Sequence, residues 1–126
     1  MRQQNDKVIV LTGGPCAGKT TISEVIGHAF RKHIVIVPEA ASLLFKGGFP
    51  RWAEKEAQAS LQRVIYHTQI ELEESYSTHH PSKILLSDRG TLDGAAYWPW
   101  GMKDFFTTLK TEFLAWIGDT YWFRLI

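Results

Sequence analysis

One cysteine, Cys16, occurs among the 126 residues. A lone thiol excludes an internal disulfide and with it the stapled secreted scaffolds, and it fits a reducing cytoplasm. Long hydrophobic runs are lacking too. The polar start Met1–Lys7 leads into only four apolar residues, Val8-Ile9-Val10-Leu11. That is too short for a signal core or a membrane span. Charge of one sign is also scarce: 14 Lys and Arg stand against 13 Asp and Glu. So even a balance argues against a nucleic-acid partner, which calls for a basic stripe. Repeats, low-complexity tracts and linkers are missing, so residues 1–126 read as a single domain. With 44% hydrophobic and 21% charged residues, disorder is not the default.

What is present begins with Gly13-Gly14-Pro15-Cys16-Ala17-Gly18-Lys19-Thr20. This is a complete G-x-x-x-x-G-K-[ST] loop, followed by Thr21, and its context is right. The apolar run Val8–Leu11 precedes it, and Ile22, Val25, Ile26 and Ala29 follow at helical spacing. Glycines let successive backbone N–H groups turn inward and form a nest around an anionic phosphate. The positive end of the following helix adds to the attraction. Lys19 can then reach the β- and γ-phosphates, and Thr20 offers a hydroxyl to Mg²⁺. A glycine-rich turn would explain the glycines but not Lys19-Thr20. Cys16 sits where a thiolate is favoured, though a small loop filler meets the same need.

Along the chain, Lys7 to Thr12 reads as a buried strand, followed by a helix from about Lys19 to Lys32. A second β-branched run, Ile34–Val37, is closed by Pro38. Glu39 to Phe45 can begin a helix, which Lys46-Gly47-Gly48-Phe49-Pro50 ends. A long helix is expected from Glu54 to about Ser77. Leu61, Val64, Ile65, Thr68, Leu72 and Tyr76 form its apolar face, and Glu71, Glu73 and Glu74 lie on the other. Ile84-Leu85-Leu86 is a third strand, ending at Ser87-Asp88-Arg89-Gly90. Strands interleaved with helices imply an α/β fold with a parallel sheet covered on both faces.

Ligands on such sheets gather at the carboxyl ends of the strands. The loop Gly13–Thr20, Glu39 after strand two and Asp88-Arg89 after strand three all fall there. Two acids and an arginine beside a phosphate nest suit phosphoryl transfer: metal control, a base and charge stabilisation. The plainer alternatives are a helix-start acid at Glu39 and a solvated ion pair at Asp88-Arg89. Adjacent His79-His80, with no third ligand nearby in sequence, read as solvated. Tyr97, Trp98 and Trp100 read as packing residues, and the tryptophan-rich stretch 97–123 as a source of exposed apolar surface.

The segments VLTGGPCAGKTT, VPEAASLLFKGGFPR, QRVIYHTQIELE and LLSDRGTLDGAAYWP resemble an AAA-type family of P-loop ATP- or GTP-binding proteins. That family groups the ribosylnicotinamide-kinase-like domain of bacterial NAD regulators with the nucleotide-binding domain of the TRPL-translocation-defect protein. It is distantly similar to thymidylate and deoxynucleoside kinases. The resemblance spans roughly Lys7 to Trp100. It implies a three-layer P-loop NTPase fold of the kinase type, with strand order 2-3-1-4-5 and Mg-nucleotide in the loop. It also implies that Glu39 is a base toward an acceptor hydroxyl and that Asp88-Arg89 serve metal, acceptor and phosphates. Gln69 would lie on the helix bordering an acceptor pocket. Relatives continue through strand four, an arginine-bearing lid and a fifth strand with a base-recognition loop. Against them the chain reads as the N-terminal part of the full fold, truncated at the C-terminus. Its tail, Thr120 to Ile126, is either a fourth buried strand or a chance hydrophobic ending.

The resulting expectation is a cytoplasmic protein that binds ATP or GTP with Mg²⁺. Thr20 and Asp88 hold the metal, Lys19, Glu39, Asp88 and Arg89 act on phosphate and acceptor, and Glu39, Gln69 and Arg89 line the site of an unknown small-molecule acceptor. A nucleoside- or riboside-type kinase is the first reading. A nucleotide-binding regulatory switch without an acceptor is the alternative. Slow turnover is expected from a chain without the lid, and self-association from an unpaired strand edge near Tyr121–Ile126.

Overall fold

The computed structural model of the chain describes residues 8–12, 19–87, 93–116 and 120–124. Its elements are β1 (Val8–Thr12), α1 (Lys19–Ala29), β2 (Ile34–Val37), α2 (Ala40–Lys46), α3 (Lys55–His79) and β3 (Ile84–Ser87). A 3-10 turn over Asp93–Tyr97, α4 (Met102–Trp116) and β4 (Thr120–Arg124) complete them. Among the described residues the strands form one sheet in the order β2-β3-β1-β4, with every pair parallel. This is the beginning of the 2-3-1-4-5 order implied by the resemblance. Residues 120–124 are a strand rather than a chance apolar ending, running from Val8↔Thr120 to Thr12↔Arg124 along β1. The α4 helix before it has no counterpart in the periodicity argument.

Parallel strands need crossover helices, and those helices cover the sheet faces. That explains the near-continuous apolar strands. Val8, Val10, Val37 and Leu85 make one buried cluster, with Val35, Leu72 and Tyr76 packed against it. A second cluster is built from Ala59 and Tyr66 of α3, Ala95, Trp98, and Phe105 and Leu109 of α4. Phe105 is its hub, meeting Tyr66, Trp98 and Phe106 edge-on at centroid distances of 6.1, 5.7 and 5.6 Å. Edge-to-face geometry is what the ring quadrupole favours. The Trp98 indole N–H donates to Asp104 Oδ2 at 2.6 Å, so the polar edge of the ring is satisfied. Trp98 is therefore core, whereas Tyr97 and Trp100 are exposed.

Two helices bury a different face from the one their apolar spacing suggests. In α1, Ile22, Val25 and Ala29 are exposed, Ile26 is half-buried, and Ser23 is the buried residue. The helix sits close to β2 because Gly27 leaves room for Ile36; a Cβ at position 27 would overlap that side chain. In α3, the expected face of Leu61, Val64, Ile65, Thr68, Leu72 and Tyr76 is half-buried. The fully buried stripe is Ala59, Tyr66, Gln69, Glu73 and Ser77. Glu73, expected on the solvent side with Glu71 and Glu74, is only 2% exposed. The helix touches α2, β2, β3 and the 3-10 turn. With apolar neighbours on both flanks, the centre of its inner face is left to polar side chains.

The end of α2 shows one local requirement met by glycine. Gly48 adopts φ 95°, where a side chain would be strained. The turn lets Gly47 N–H donate to Leu43 O at 3.0 Å and Phe49 N–H to Leu44 O at 2.9 Å. Helix carbonyls that would otherwise be orphaned are thus satisfied.

Candidate functional site

Because every strand is parallel, the carboxyl ends of β1, β3 and β2 open on one edge of the sheet. The register aligns Val10 with Ser87 and Ser87 with Val37. From that level β1 continues to Thr12, β3 gives way to Asp88, and β2 to Pro38 and Glu39. The phosphate-loop motif therefore follows the strand it should, and α1 resumes at Lys19. Lys19 and Thr20 belong to the first turn of a helix whose leading N–H groups and dipole favour an anion. Thr21 beside them is exposed. Gly13, Gly14, Pro15, Cys16, Ala17, Gly18, Asp88 and Arg89 lie outside the described residues, as do the side chains of Lys19 and Thr20.

Glu39 is half-buried and occupies the N-cap position of α2, with φ −73° and ψ 120°. Its carboxylate makes no capping bond to that helix. The helix-start role is taken from outside: Ala40 N–H donates to Gln69 Oε1 of α3 at 3.3 Å. A helix terminus whose N–H groups face inward needs such an acceptor. Gln69 is only 3% exposed, and its Nε2 donates to Glu73 Oε1 at 3.3 Å. The same carboxylate oxygen receives Ser87 Oγ–H, also at 3.3 Å. Each bond is longer than the mode for its type, ~3.0 Å for N–H···O and ~2.8 Å for O–H···O, so the three act by number rather than individual strength.

The result is a buried polar relay, Ala40–Gln69–Glu73–Ser87, spanning the ends of β2 and β3. Glu39 directly precedes one end, and Asp88 directly follows the other. Gln69, expected to read an acceptor, has its carbonyl oxygen and one amide N–H committed to this relay. Glu73 and Ser87 were not among the expected site residues. A spacing of four between Gln69 and Glu73 puts both on one helix face. That face is buried only because Leu72 and Tyr76 reach one core cluster and Ile70 the other.

The remaining polar candidates stay at the periphery. His79 is exposed with Nδ1 3.0 Å from Ser75 O, and His80 stacks at a tilt on Tyr76 at 6.0 Å. Among the described residues no group of three or more His, Cys, Asp or Glu could hold a metal. No helix among them is long and apolar enough to cross a membrane.

An all-parallel 2-3-1-4 sheet, with a glycine-rich GKT loop between its third-placed strand and the following helix, defines a kinase-type P-loop fold that binds nucleotide. The chain belongs to the AAA domain family, whose model matches residues 8–117. Among solved structures it is similar to a candidate kinase from Chloroflexus aurantiacus, at 19% identity and a TM-score of 0.52 over 98% of this chain. It spans 61% of the length of that protein. A second likeness is to the APS kinase of Mycobacterium tuberculosis, at 10% identity and a TM-score of 0.49, covering 97% of this chain and 75% of that one. The sequence matches no curated protein.

Proposed function

We propose that the chain binds Mg-ATP or Mg-GTP at residues 13–20 and passes the γ-phosphoryl group to a hydroxyl of a small nucleoside- or riboside-type acceptor. The observation that carries this reading is the tie between strand ends. The backbone N–H of Ala40, next to Glu39, and the side-chain hydroxyl of Ser87, next to Asp88 in sequence, are joined by one relay beyond the paired ends of β2 and β3. A switch needs a phosphate nest but has no use for a second acid held at this edge.

In this reading Lys19 neutralises charge on the γ-phosphate and Arg89 clamps phosphate or acceptor. Glu39 accepts the proton of the acceptor hydroxyl. The acceptor oxygen bonds to phosphorus as the bond to the bridging oxygen breaks, and the nucleoside diphosphate leaves. Thr20 Oγ1 and the Asp88 carboxylate would hold Mg²⁺, which prefers hard oxygen donors of this kind. Bound there, Mg²⁺ would supply charge neutralisation for the transferring phosphoryl group. The single cysteine fits a cytoplasmic setting. Among the described residues β4 is the last strand of the sheet, and self-association by strand pairing there would be read directly by light scattering.

Lys19→Ala weakens Mg-nucleotide binding by about 10- to 100-fold, the range for losing a charge-assisted bond, and leaves the fold intact. Calorimetry with ATP and GTP checks it; parental affinity would remove the loop from the site. Asp88→Asn shifts the Mg²⁺ midpoint of the bound nucleotide more than it shifts metal-free nucleotide affinity. Equal midpoints in a metal titration would take Asp88 away from the metal. Labelled-phosphate transfer from ATP and GTP, screened over nucleosides and ribosides, tests the reaction itself. Binding without transfer to any acceptor would leave a nucleotide-binding switch.

A further inference from the structure

We propose that Glu73 is a positioning residue that couples the two acid-bearing loops of the site. The proposal rests on the phosphotransfer reading for its kinetic consequence, though not for its structural test. Glu73 Oε1 receives Gln69 Nε2–H and Ser87 Oγ–H, and Gln69 Oε1 in turn receives Ala40 N–H. All four residues are buried, at 1%, 3%, 2% and 0% exposure for Ala40, Gln69, Glu73 and Ser87.

A carboxylate costs several kcal/mol to bury, even after relaxation, unless donors are built around it. An apolar residue there would extend the cluster that Leu72 and Tyr76 already join. The choice of an acid makes chemical sense because one oxygen carries two lone-pair sites. It can take a donor from the end of β3 and a donor from Gln69 together; a leucine offers no acceptor, and a serine side chain is too short to reach both. Two groups 47 residues apart in sequence, Ala40 and Ser87, are thereby held against one helix turn.

Each end of the relay sits one residue from an acid, Glu39 before Ala40 and Asp88 after Ser87. The bond to Ala40 N–H limits where Glu39 can stand, and the bond from Ser87 Oγ ties the last residue of β3 to the same relay. The spacing between the start of α2 and the end of β3, the two points next to the acids in sequence, is then set by α3. A transferring phosphoryl group tolerates little error in that separation, since a displacement near 1 Å can cost ~10²-fold in rate. Glu73 touches neither nucleotide nor acceptor in this scheme.

Ser87→Ala tests the coupling in the full chain, because it removes one donor from Glu73 and alters nothing on α2 or α3. The Ala40 amide, at the far end of the relay, should exchange its hydrogen at least ~5-fold faster, as local opening becomes easier. Transfer kcat should fall about 10²-fold while the KM for nucleotide stays within about twofold. Glu73→Gln retains an acceptor oxygen and should stay near the parent in both readouts, whereas Glu73→Ala should match or exceed Ser87→Ala. Unchanged Ala40 exchange in Ser87→Ala overturns the coupling. Identical behaviour of Glu73→Gln and Glu73→Ala overturns the bridging oxygen. A lower melting temperature with parental kcat per folded molecule makes the residue merely structural and also overturns it. If the parent transfers phosphate to no acceptor, the proposed reaction falls, and Ala40 exchange alone still decides the relay.

Discussion

The two halves of α3 do opposite kinds of work on the same buried stripe. Its first half presents Ala59 and Tyr66 to Trp98 and Phe105, a cluster whose inner surface is nearly all apolar. Its second half buries Gln69, Glu73 and Ser77, and of these Gln69 and Glu73 hydrogen-bond to Ala40 at the start of α2 and Ser87 at the end of β3. Apolar burial is non-directional and tolerates small shifts. Hydrogen-bonded burial stabilises little in net terms but fixes position, and it is costly when half-broken. The aromatic half is thus suited to holding the chain folded, and the polar half to holding two loops in register.

The sharpest way to break this division is Phe105→Ala. Removing the hub of the aromatic cluster should cost about 3–5 kcal/mol, near the upper range for a core Phe. Denaturant titration reads the loss, and nucleotide affinity of the folded fraction should be unchanged. An affinity loss matching that of Lys19→Ala would show that the two halves are not separable. Gln69→Leu comes next and should reverse the pattern. Stability falls by only about 1–3 kcal/mol, as Ala40 N–H and Glu73 Oε1 each lose a partner. Phosphoryl transfer falls further than that stability change would suggest. Parental turnover with the same stability loss would make the polar half ordinary packing.

Ser23→Ala is the smallest change and sharpens the comparison from a third direction. Ser23 Oγ is buried on α1 without a hydrogen-bond partner among the described residues. Its removal should be neutral or stabilising by up to about 1 kcal/mol, because an orphaned hydroxyl contributes only its desolvation cost. Thermal unfolding checks this. A clear destabilisation would mean that the hydroxyl has a partner that matters to the fold, as the Gln69 and Glu73 groups do.

Much of the fold around the candidate site was legible because its signals are contiguous. The GKT loop between an apolar strand and a helix needs only neighbouring residues to make its nest, and β1 and α1 flank it as expected. Strand ends could be located from Pro38 and from the polar Ser87-Asp88-Arg89, and β2 and β3 do end level with each other at Val37 and Ser87. Helix faces were less legible. Spacing rules treat every polar residue as solvent-facing, so Glu73 was placed outside and Ile22 and Val25 of α1 inside. The structure has both the other way round.

The sequence by itself determined the phosphate-loop motif, its place between β1 and α1, and the α/β class. Each of these follows from a short segment whose backbone conformation is set by its own glycines, prolines and β-branched runs. Only the tertiary structure decided that residues 120–124 are a strand beside β1, because pairing is a contact between segments distant in sequence. Only the tertiary structure could bury Glu73 and give it Gln69 and Ser87 as partners. A carboxylate is stable inside a protein only when donors converge on it from several elements, and that convergence exists only once β2, β3 and α3 have packed together.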